Sequence, residues 1–172
     1  MVRSRAGRGF SLIELVVVIV LIGLLAAVGA NMVADTMSTA YTVTNNQASG
    51  SAARYAAERI TREVREVAFG ALGYSITTMT SASLAFTKED GTAVTISSAS
   101  GALTVRYGTA TAQTLTNQVS SFAFAYYDQL GGTTTSIEDI RFVQVTLSVV
   151  NSKTGATDSL RTRIFLRNAQ AA

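Results

Sequence analysis

The sequence RGFSLIE occupies residues 8–14 and joins two segments of opposite character. It follows a short basic N-terminus and precedes residues 15–30, which contain no charged or polar side chain. An α-helix over residues 10–30 would be about 31 Å long, close to the roughly 30 Å of a bilayer's hydrocarbon core. A single carboxylate, that of Glu14, therefore lies inside a segment long enough to cross a membrane.

The net charge of the chain comes from this N-terminus. The formal charge is +3, but Arg3, Arg5 and Arg8 account for all of it, since the remaining residues carry 11 basic and 11 acidic side chains. The positive-inside rule places such a basic flank in the cytoplasm. The rest of the chain has no basic stripe, so nucleic-acid binding is not expected.

The sequence contains no cysteine, no histidine and no proline. Without thiols or imidazoles the chain has no disulfide framework, no Ser-His or Cys-His nucleophile pair and none of the usual zinc sites. A carboxylate-only hydrolase or an oxygen-ligand calcium site is still compatible with the composition. We predict no catalytic, cofactor-binding or metal-binding residue.

Residues 1–9 are typical of a processing segment, and two sites of cleavage are open to it. An ordinary secretory signal is cut after its apolar core, and Val28-Gly29-Ala30 offers suitable small residues. Glu14 argues against this, because a carboxylate near the centre of an apolar helix costs about 2.5–3.5 kcal/mol on insertion scales. A signal peptide that is removed after translocation has no reason to carry that cost. A third possibility is an anchor that is not cleaved.

The segment resembles the type III signal of type IV prepilins and pseudopilins, in which a basic leader ending in glycine precedes Phe, a small polar residue, two aliphatic residues and Glu. The resemblance implies that a prepilin peptidase cuts between Gly9 and Phe10 and that the new terminus at Phe10 is N-methylated. It also implies a leader over 1–9 and a transmembrane or filament-core half of the helix over 10–34.

Cleavage before Phe10 creates a positively charged amine, and methylation keeps that charge. In a staggered bundle of such helices, this amine can pair with the Glu14 carboxylate of a neighbouring subunit at low dielectric. Glu14 would then be an assembly residue. The alternative is that Glu14 pairs with its own terminus one helical turn away, which satisfies the charge but sets no register.

An amphipathic second half of the helix is predicted over 35–73, with a clear helical pattern from about 51 to 69 that ends near Gly70 and Gly73. Its expected solvent face carries pairs four residues apart, Glu58 with Arg62, Arg59 with Glu63 and Arg62 with Glu66. The expected buried face recurs at three- and four-residue spacing; it comprises Ala52, Tyr55, Ala56, Ile60, Val64 and Val67.

From Tyr74 onwards the apolar residues alternate, which predicts an antiparallel sheet over 74–172. Strands are expected at 83–87 and 92–97 around an Asp-Gly turn, at 102–107 and 111–116 around Gly108, and at 119–128. The last pair is predicted around residues 143–149 and 160–166, joined across 151–158. Together with the helix, this predicts an α+β, pilin-like fold in which the amphipathic helix packs on an antiparallel head.

Two sets of residues in the head are candidates for binding roles. The aromatic residues Phe122, Phe124, Tyr126 and Tyr127 can in principle bind sugars or bases, but core packing is favoured. Near the Gly131-Gly132 tip, acidic side chains can bracket a calcium ion, although no dense oxygen-ligand loop is present. These acidic residues are Asp128, Glu138 and Asp139.

The head is similar to minor pilins of the W or MSHA O type and to J-type minor pseudopilins of type II secretion. The similarity lies in the helix AAERITREVREV at 56–67 and in strands ending RIFLRN at 163–168, and the cysteine pair of many major pilins is missing. It implies a non-enzymatic structural subunit, anchored once in a bacterial inner membrane, with its head periplasmic or extracellular.

The partners implied are prepilin peptidase, other pilin or pseudopilin subunits, an inner-membrane assembly platform and membrane lipid. A place at the tip of a type IV pilus or type II secretion filament, or in its initiation, is expected. Alternatives are a major or adhesive pilin and an extracytoplasmic binding module anchored by a single helix.

Overall fold

The computed structural model describes residues 11–70 and 73–166. A single helix, α1, runs from Leu12 to Arg65 without interruption, through Gly23, Gly29 and Gly50. The chain forms two compact units, residues 1–43 and 44–172. The first unit contributes the N-terminal part of α1, and the second contains the rest of α1 and every strand.

Among the described residues, ten strands follow the helix. Two are a short pair, β1 and β2, and the others form two antiparallel sheets. Their bounds are β1 Phe69–Gly70, β2 Gly73–Tyr74, β3 Ile76–Met79, β4 Ser83–Thr87, β5 Ala93–Ala99, β6 Ala102–Tyr107, β7 Gln113–Thr116, β8 Val119–Tyr127, β9 Phe142–Val150 and β10 Thr157–Phe165.

The strands divide into a five-stranded sheet, β3-β4-β5-β6-β7, and a three-stranded sheet, β10-β9-β8. Every pairing in both sheets is antiparallel. The α+β class with an antiparallel head is therefore confirmed. The sequence did not predict the division into two sheets, because alternation along one strand does not show which strands it pairs with.

Most strand positions predicted from alternation are confirmed within one or two residues. The turn between β4 and β5 is the predicted Asp-Gly turn, in which Gly91 has a φ of 83°. The β5–β6 turn was not predicted. It uses Ser100 and Gly101, with φ values of 51° and 74°, which fit the type I′ geometry that suits two-residue hairpins.

The predicted helix end is wrong by several residues. The helix ends at Arg65, and the chain is then held by backbone bonds to the β4–β5 hairpin, in which Ala68 N donates to Thr87 O at 2.9 Å and Glu89 N donates to Glu66 O at 3.2 Å. Glu66 N and Val67 N still donate to Glu63 O at 3.1 Å and to Val64 O at 3.4 Å, and donation to the sheet begins at Ala68. The glycines at 70 and 73 belong to the β1–β2 pair instead of the helix cap.

The predicted buried face of the helix is partly wrong. Ala56, Ile60 and Val64 are buried as expected, but Ala52 is only half-buried and Tyr55 is 61% exposed. The buried stripe runs instead along Ala53, Ala56, Ala57, Ile60, Glu63 and Val64. Alanines predominate in it because small side chains let a helix approach a sheet closely.

One hydrophobic core joins this stripe to both sheets. Ile60 and Val64 are fully buried, as are side chains of the five-stranded sheet and of the three-stranded sheet. The predicted strand alternation is confirmed there, since the four residues of β9 expected on one face, Val143, Val145, Leu147 and Val149, are all buried. The core residues from the sheets include Leu84, Phe86, Val94, Ile96, Leu103, Val105, Phe124, Val143, Val145, Leu147, Val149 and Ile164.

Candidate functional site: the N-terminal helix and a buried carboxylate

The residue before α1 is Ser11, and serine is favoured at the N-cap position of helices. The backbone carbonyl of Ser11 accepts bonds from Glu14 N at 3.0 Å and Leu15 N at 3.1 Å, which closes the first turn. Glu14 lies in this turn and is exposed. A negative charge at a helix N-terminus is favourable, because the peptide dipoles leave partial positive charge there.

The apolar side chains of this part of α1 are exposed around the whole helix. Leu12 is 81% exposed and Leu25 is 73% exposed, and the same holds for the large apolar residues up to Val43. In the part of the chain that the structure describes, α1 is the one helix long and apolar enough to span a membrane, judged by length and composition. A helix apolar on all sides needs lipid or other apolar helices around it.

The predicted processing residues Gly9 and Phe10 lie outside the described residues, as do Arg167 and Asn168 of the sequence similarity. Glu14 is the one predicted site residue whose position is described. Within residues 11–70 and 73–166, no basic side chain forms a salt bridge with it. The pairing expected between Glu14 and an amine at Phe10 is therefore still a prediction.

Sequence reasoning missed a buried carboxylate in the head, that of Glu63. It was expected on the solvent face with Arg59, but only 2% of the residue is exposed. Arg59 Nε lies 3.1 Å from Glu63 Oε1, so the predicted pair exists, and Lys88 Nζ lies 2.6 Å from Oε2. The Lys88 contact is an ion pair without good hydrogen-bond direction, and it neutralises the oxygen that faces the interior.

A tyrosine completes this ion cluster. Arg59 Nη2 donates to the Tyr107 hydroxyl at 2.6 Å, and that hydroxyl donates to Glu63 Oε1 at 2.7 Å. Lys88 also contacts Glu66 Oε2 at 2.7 Å, which replaces the expected pairing of Glu66 with Arg62. The cluster therefore joins α1 to β6 and to the β4–β5 turn.

Burial and charge act in opposite directions on these groups. Burial raises the pKa of Glu63, but the close contact with Lys88, the hydrogen bond from Tyr107 and the positive charges of Lys88 and Arg59 outweigh it, so the net pKa lies below its usual range. Burial lowers the pKa of Lys88, yet Glu63 and Glu66 raise it overall. Both groups are therefore charged at neutral pH, and the cluster has a structural role. Sequence spacing could not reveal the contact between Lys88 and Glu63, because the two residues lie 25 positions apart.

The other two groups considered from the sequence have structural roles in the fold. Phe124 and Tyr126 are buried, and the Tyr126 hydroxyl donates to Thr80 O at 2.7 Å. Tyr127, on the opposite face, lies against the Arg163 guanidinium, 4.4 Å from its ring centre. Core packing is thus confirmed for Phe124 and Tyr126, with Phe122 partly buried against the core, whereas Tyr127 lies outside it.

The acidic tip does not assemble a metal site in the described residues. Asp128 Oδ1 accepts from Leu130 N at 2.9 Å and from Gly132 N at 2.8 Å, so this carboxylate holds the turn. No three acidic side chains come together there or elsewhere in the described parts of the chain.

The comparison with known families concerns the N-terminal segment. Residues 4–30 match the family described as the prokaryotic N-terminal methylation motif. A search of curated proteins finds no match to the chain. The chain thus carries a type IV prepilin-like signal, and the motif supports a structural subunit of the pilin or pseudopilin type.

Such a motif implies processing by a prepilin peptidase and assembly with other pilin subunits. The motif and the single exposed apolar helix fit a single-pass anchor in an inner membrane.

Proposed function

We propose that this chain is a minor pilin or minor pseudopilin, a non-enzymatic subunit that joins a type IV pilus or a type II secretion filament at its tip or during initiation. The observation that carries the proposal is the methylation motif on a helix that is apolar on every side and continues into a folded α+β head. The head has no thiol or imidazole and its buried charges form a structural cluster, which supports a structural role.

The proposed processing removes a leader over 1–9 by a cut between Gly9 and Phe10, followed by N-methylation of Phe10. Residues 10–34 then form the membrane and filament-core segment, residues 35–73 the amphipathic segment, and residues 74–172 the β head. In this proposal the head is periplasmic or extracellular, and the partners include the inner-membrane assembly platform and membrane lipid besides the peptidase and other subunits.

Glu14 is the proposed assembly residue. Its carboxylate sits in the first turn of an apolar helix, where a neighbouring subunit's methylated Phe10 amine can neutralise it. In the apolar interior of a helix bundle such a pair is strongly preferred to an unpaired carboxylate. Cleavage then creates the charge that assembly requires.

The first test is the N-terminal mass of the mature protein purified from a host with a prepilin peptidase. We expect a start at methylated Phe10, and a leader-bearing protein when Gly9→Ala blocks the cut. A start at Asn31 would mean an ordinary secretory signal. An intact N-terminus in the presence of active peptidase would mean an uncleaved anchor, and either result would contradict the proposal.

The second test separates assembly from processing. The Glu14→Ala variant is expected to insert and be cleaved normally but to be lost from sheared filaments or from cross-linked subunit complexes. Asp35→Ala, which removes an exposed carboxylate elsewhere on α1, is the matched control and should assemble as wild type. Wild-type incorporation of the Glu14 variant would remove Glu14 from the assembly role.

A further inference from the structure

A groove lies between the outer flank of α1 and the last strand, β10. It has a volume of about 840 Å³, which is within the range of roughly 300–1,000 Å³ found for ligand pockets. Leu160 and Thr162 of β10 line one wall, and the helix wall carries arginines. We call it the arginine groove; its charged lining residues are Arg54, Glu58, Arg62, Arg65 and Glu66.

The strand that lines the groove is an edge strand. β10 pairs with β9 from Thr157↔Val150 to Phe165↔Phe142, and in the described part of the chain no strand pairs with its other side. Such an edge presents unpaired N–H and C=O groups that can bind an extended segment as an additional strand.

The groove has an excess of positive charge. Glu66 is neutralised by Lys88 at 2.7 Å, which leaves Glu58 against three arginines. Arg54, Arg62 and Arg65 are exposed, and among the described residues none of them forms an ion pair or a side-chain hydrogen bond. Guanidinium groups without partners beside an open strand edge are suited to carboxylates.

We propose that the arginine groove binds an extended acidic segment of a partner protein, which adds to the free edge of β10 and places its carboxylates on Arg62 and Arg65. Leu160 and Thr162 alternate along β10 on the face turned towards α1, so side chains on that face of an added strand would also meet α1. The lengths of the two elements are similar. The helix rises about 16 Å from Arg54 to Arg65, and three residues on one face of a strand span about 13 Å.

The choice of an acidic partner follows from the charges that line the groove. The C-terminal residues 167–172, RNAQAA, carry one arginine and no acidic side chain, so they would not neutralise the groove. Arginines can also serve only to discourage edge pairing, as charged residues do on many edge strands. That alternative makes the opposite prediction, namely that no strand binds.

The test measures peptide binding by the full chain in detergent micelles. The probe is a fluorescein-labelled octapeptide of alternating glutamate and valine, followed by anisotropy. We expect saturable binding that the Arg62→Glu, Arg65→Glu double variant weakens at least about tenfold. Arg106→Glu, an exposed charge reversal on β6 of the other sheet, is the control and should bind within about twofold of wild type.

A second pair of probes tests the strand geometry. The same peptide with N-methyl groups on alternate residues keeps its charge but cannot form the backbone bonds, and it should bind at least about tenfold more weakly. In the presence of the unmodified peptide, amide hydrogen exchange should slow along β10.

Four outcomes would overturn the proposal. They are absence of saturable binding, equal binding of a lysine-valine peptide, equal binding of the N-methylated peptide, and binding that appears only when residues 167–172 are removed. The last of these would mean that the chain's own C-terminus occupies the groove.

Discussion

Glu63 is the residue at which the pattern in the sequence and the fold diverge most. Its spacing from Arg59 is typical of a solvent-exposed pair, and the pair does form, but the carboxylate is buried. The carboxylate contacts Lys88 from the β4–β5 turn and Tyr107 from the end of β6. These contacts join residues distant in sequence, so only the folded chain reveals them.

Removing the charge of Glu63 should destabilise the head. In Glu63→Gln, the Lys88 ammonium and the Arg59 guanidinium lose their common carboxylate, and breaking a buried pair in this way costs about 3 kcal/mol. The free energy of unfolding, measured by urea titration with near-UV circular dichroism, should fall by about that amount. The control is Glu66→Gln, whose carboxylate is exposed and whose loss should cost less than about 1 kcal/mol. Equal effects of the two variants would contradict the special role of Glu63.

The same carboxylate should make the stability depend on pH in the acid range. The folded pKa of Glu63 is below its usual value of about 4.3, so its contribution is complete above that pH and is lost as the pH falls through the folded pKa. We expect the stability difference between wild type and Glu63→Gln to be constant from neutral pH to about pH 5 and to shrink below about pH 4. A difference that persists unchanged at low pH would mean that the variant acts by packing instead of charge.

Among the elements, the hairpins are what the sequence predicts best. Alternation and the Asp-Gly turn place β4 and β5 within a residue or two, because period-two burial and turn chemistry are local. The helix end and its buried stripe are predicted less well. Residues 66–70 keep an apolar pattern that suits a helix, but from Ala68 onwards the backbone bonds go to the hairpin and to β2. That exchange is decided by tertiary contacts.

The β4–β5 hairpin offers a test of its turn. Gly91 has a φ of 83°, Gly91 N donates to Lys88 O at 3.0 Å, and Asp90 Oδ1 accepts from Thr92 N at 2.8 Å. A Cβ at Gly91 would meet nothing within 4 Å, so Gly91→Ala should cost only the left-handed backbone conformation, about 1–2 kcal/mol by urea titration. Gly70→Ala, where there is equally free space and no positive φ, should change stability by less than about 0.5 kcal/mol. Equal costs would show that backbone conformation does not control this turn.

The molecule as a whole consists of an exposed apolar helical segment and a head with its own core. The members of the core cluster lie at Ala53 and beyond, and the large apolar residues of 12–43 are exposed. The compact unit that begins at Thr44 also retains the contact of Thr154 Oγ1 with Asn46 Oδ1 at 2.7 Å, which links α1 to the β9–β10 loop. Composition predicts the apolar segment, whereas the boundary near Thr44 comes from contacts within the fold.

A chain that begins at Thr44 should therefore fold without detergent. It keeps the buried stripe of α1 and both sheets, and it loses the segment that exposes apolar surface. We expect one cooperative thermal transition by far-UV circular dichroism, and a loss of about 2–5 kcal/mol on Ile60→Ala, because Ile60 is fully buried between the sheets and the helix. Tyr55→Ala, at an exposed position of the same helix, is the control and should change stability by less than about 0.5 kcal/mol. A gradual transition, or equal sensitivity at both positions, would mean that the head depends on residues before Thr44 for its packing.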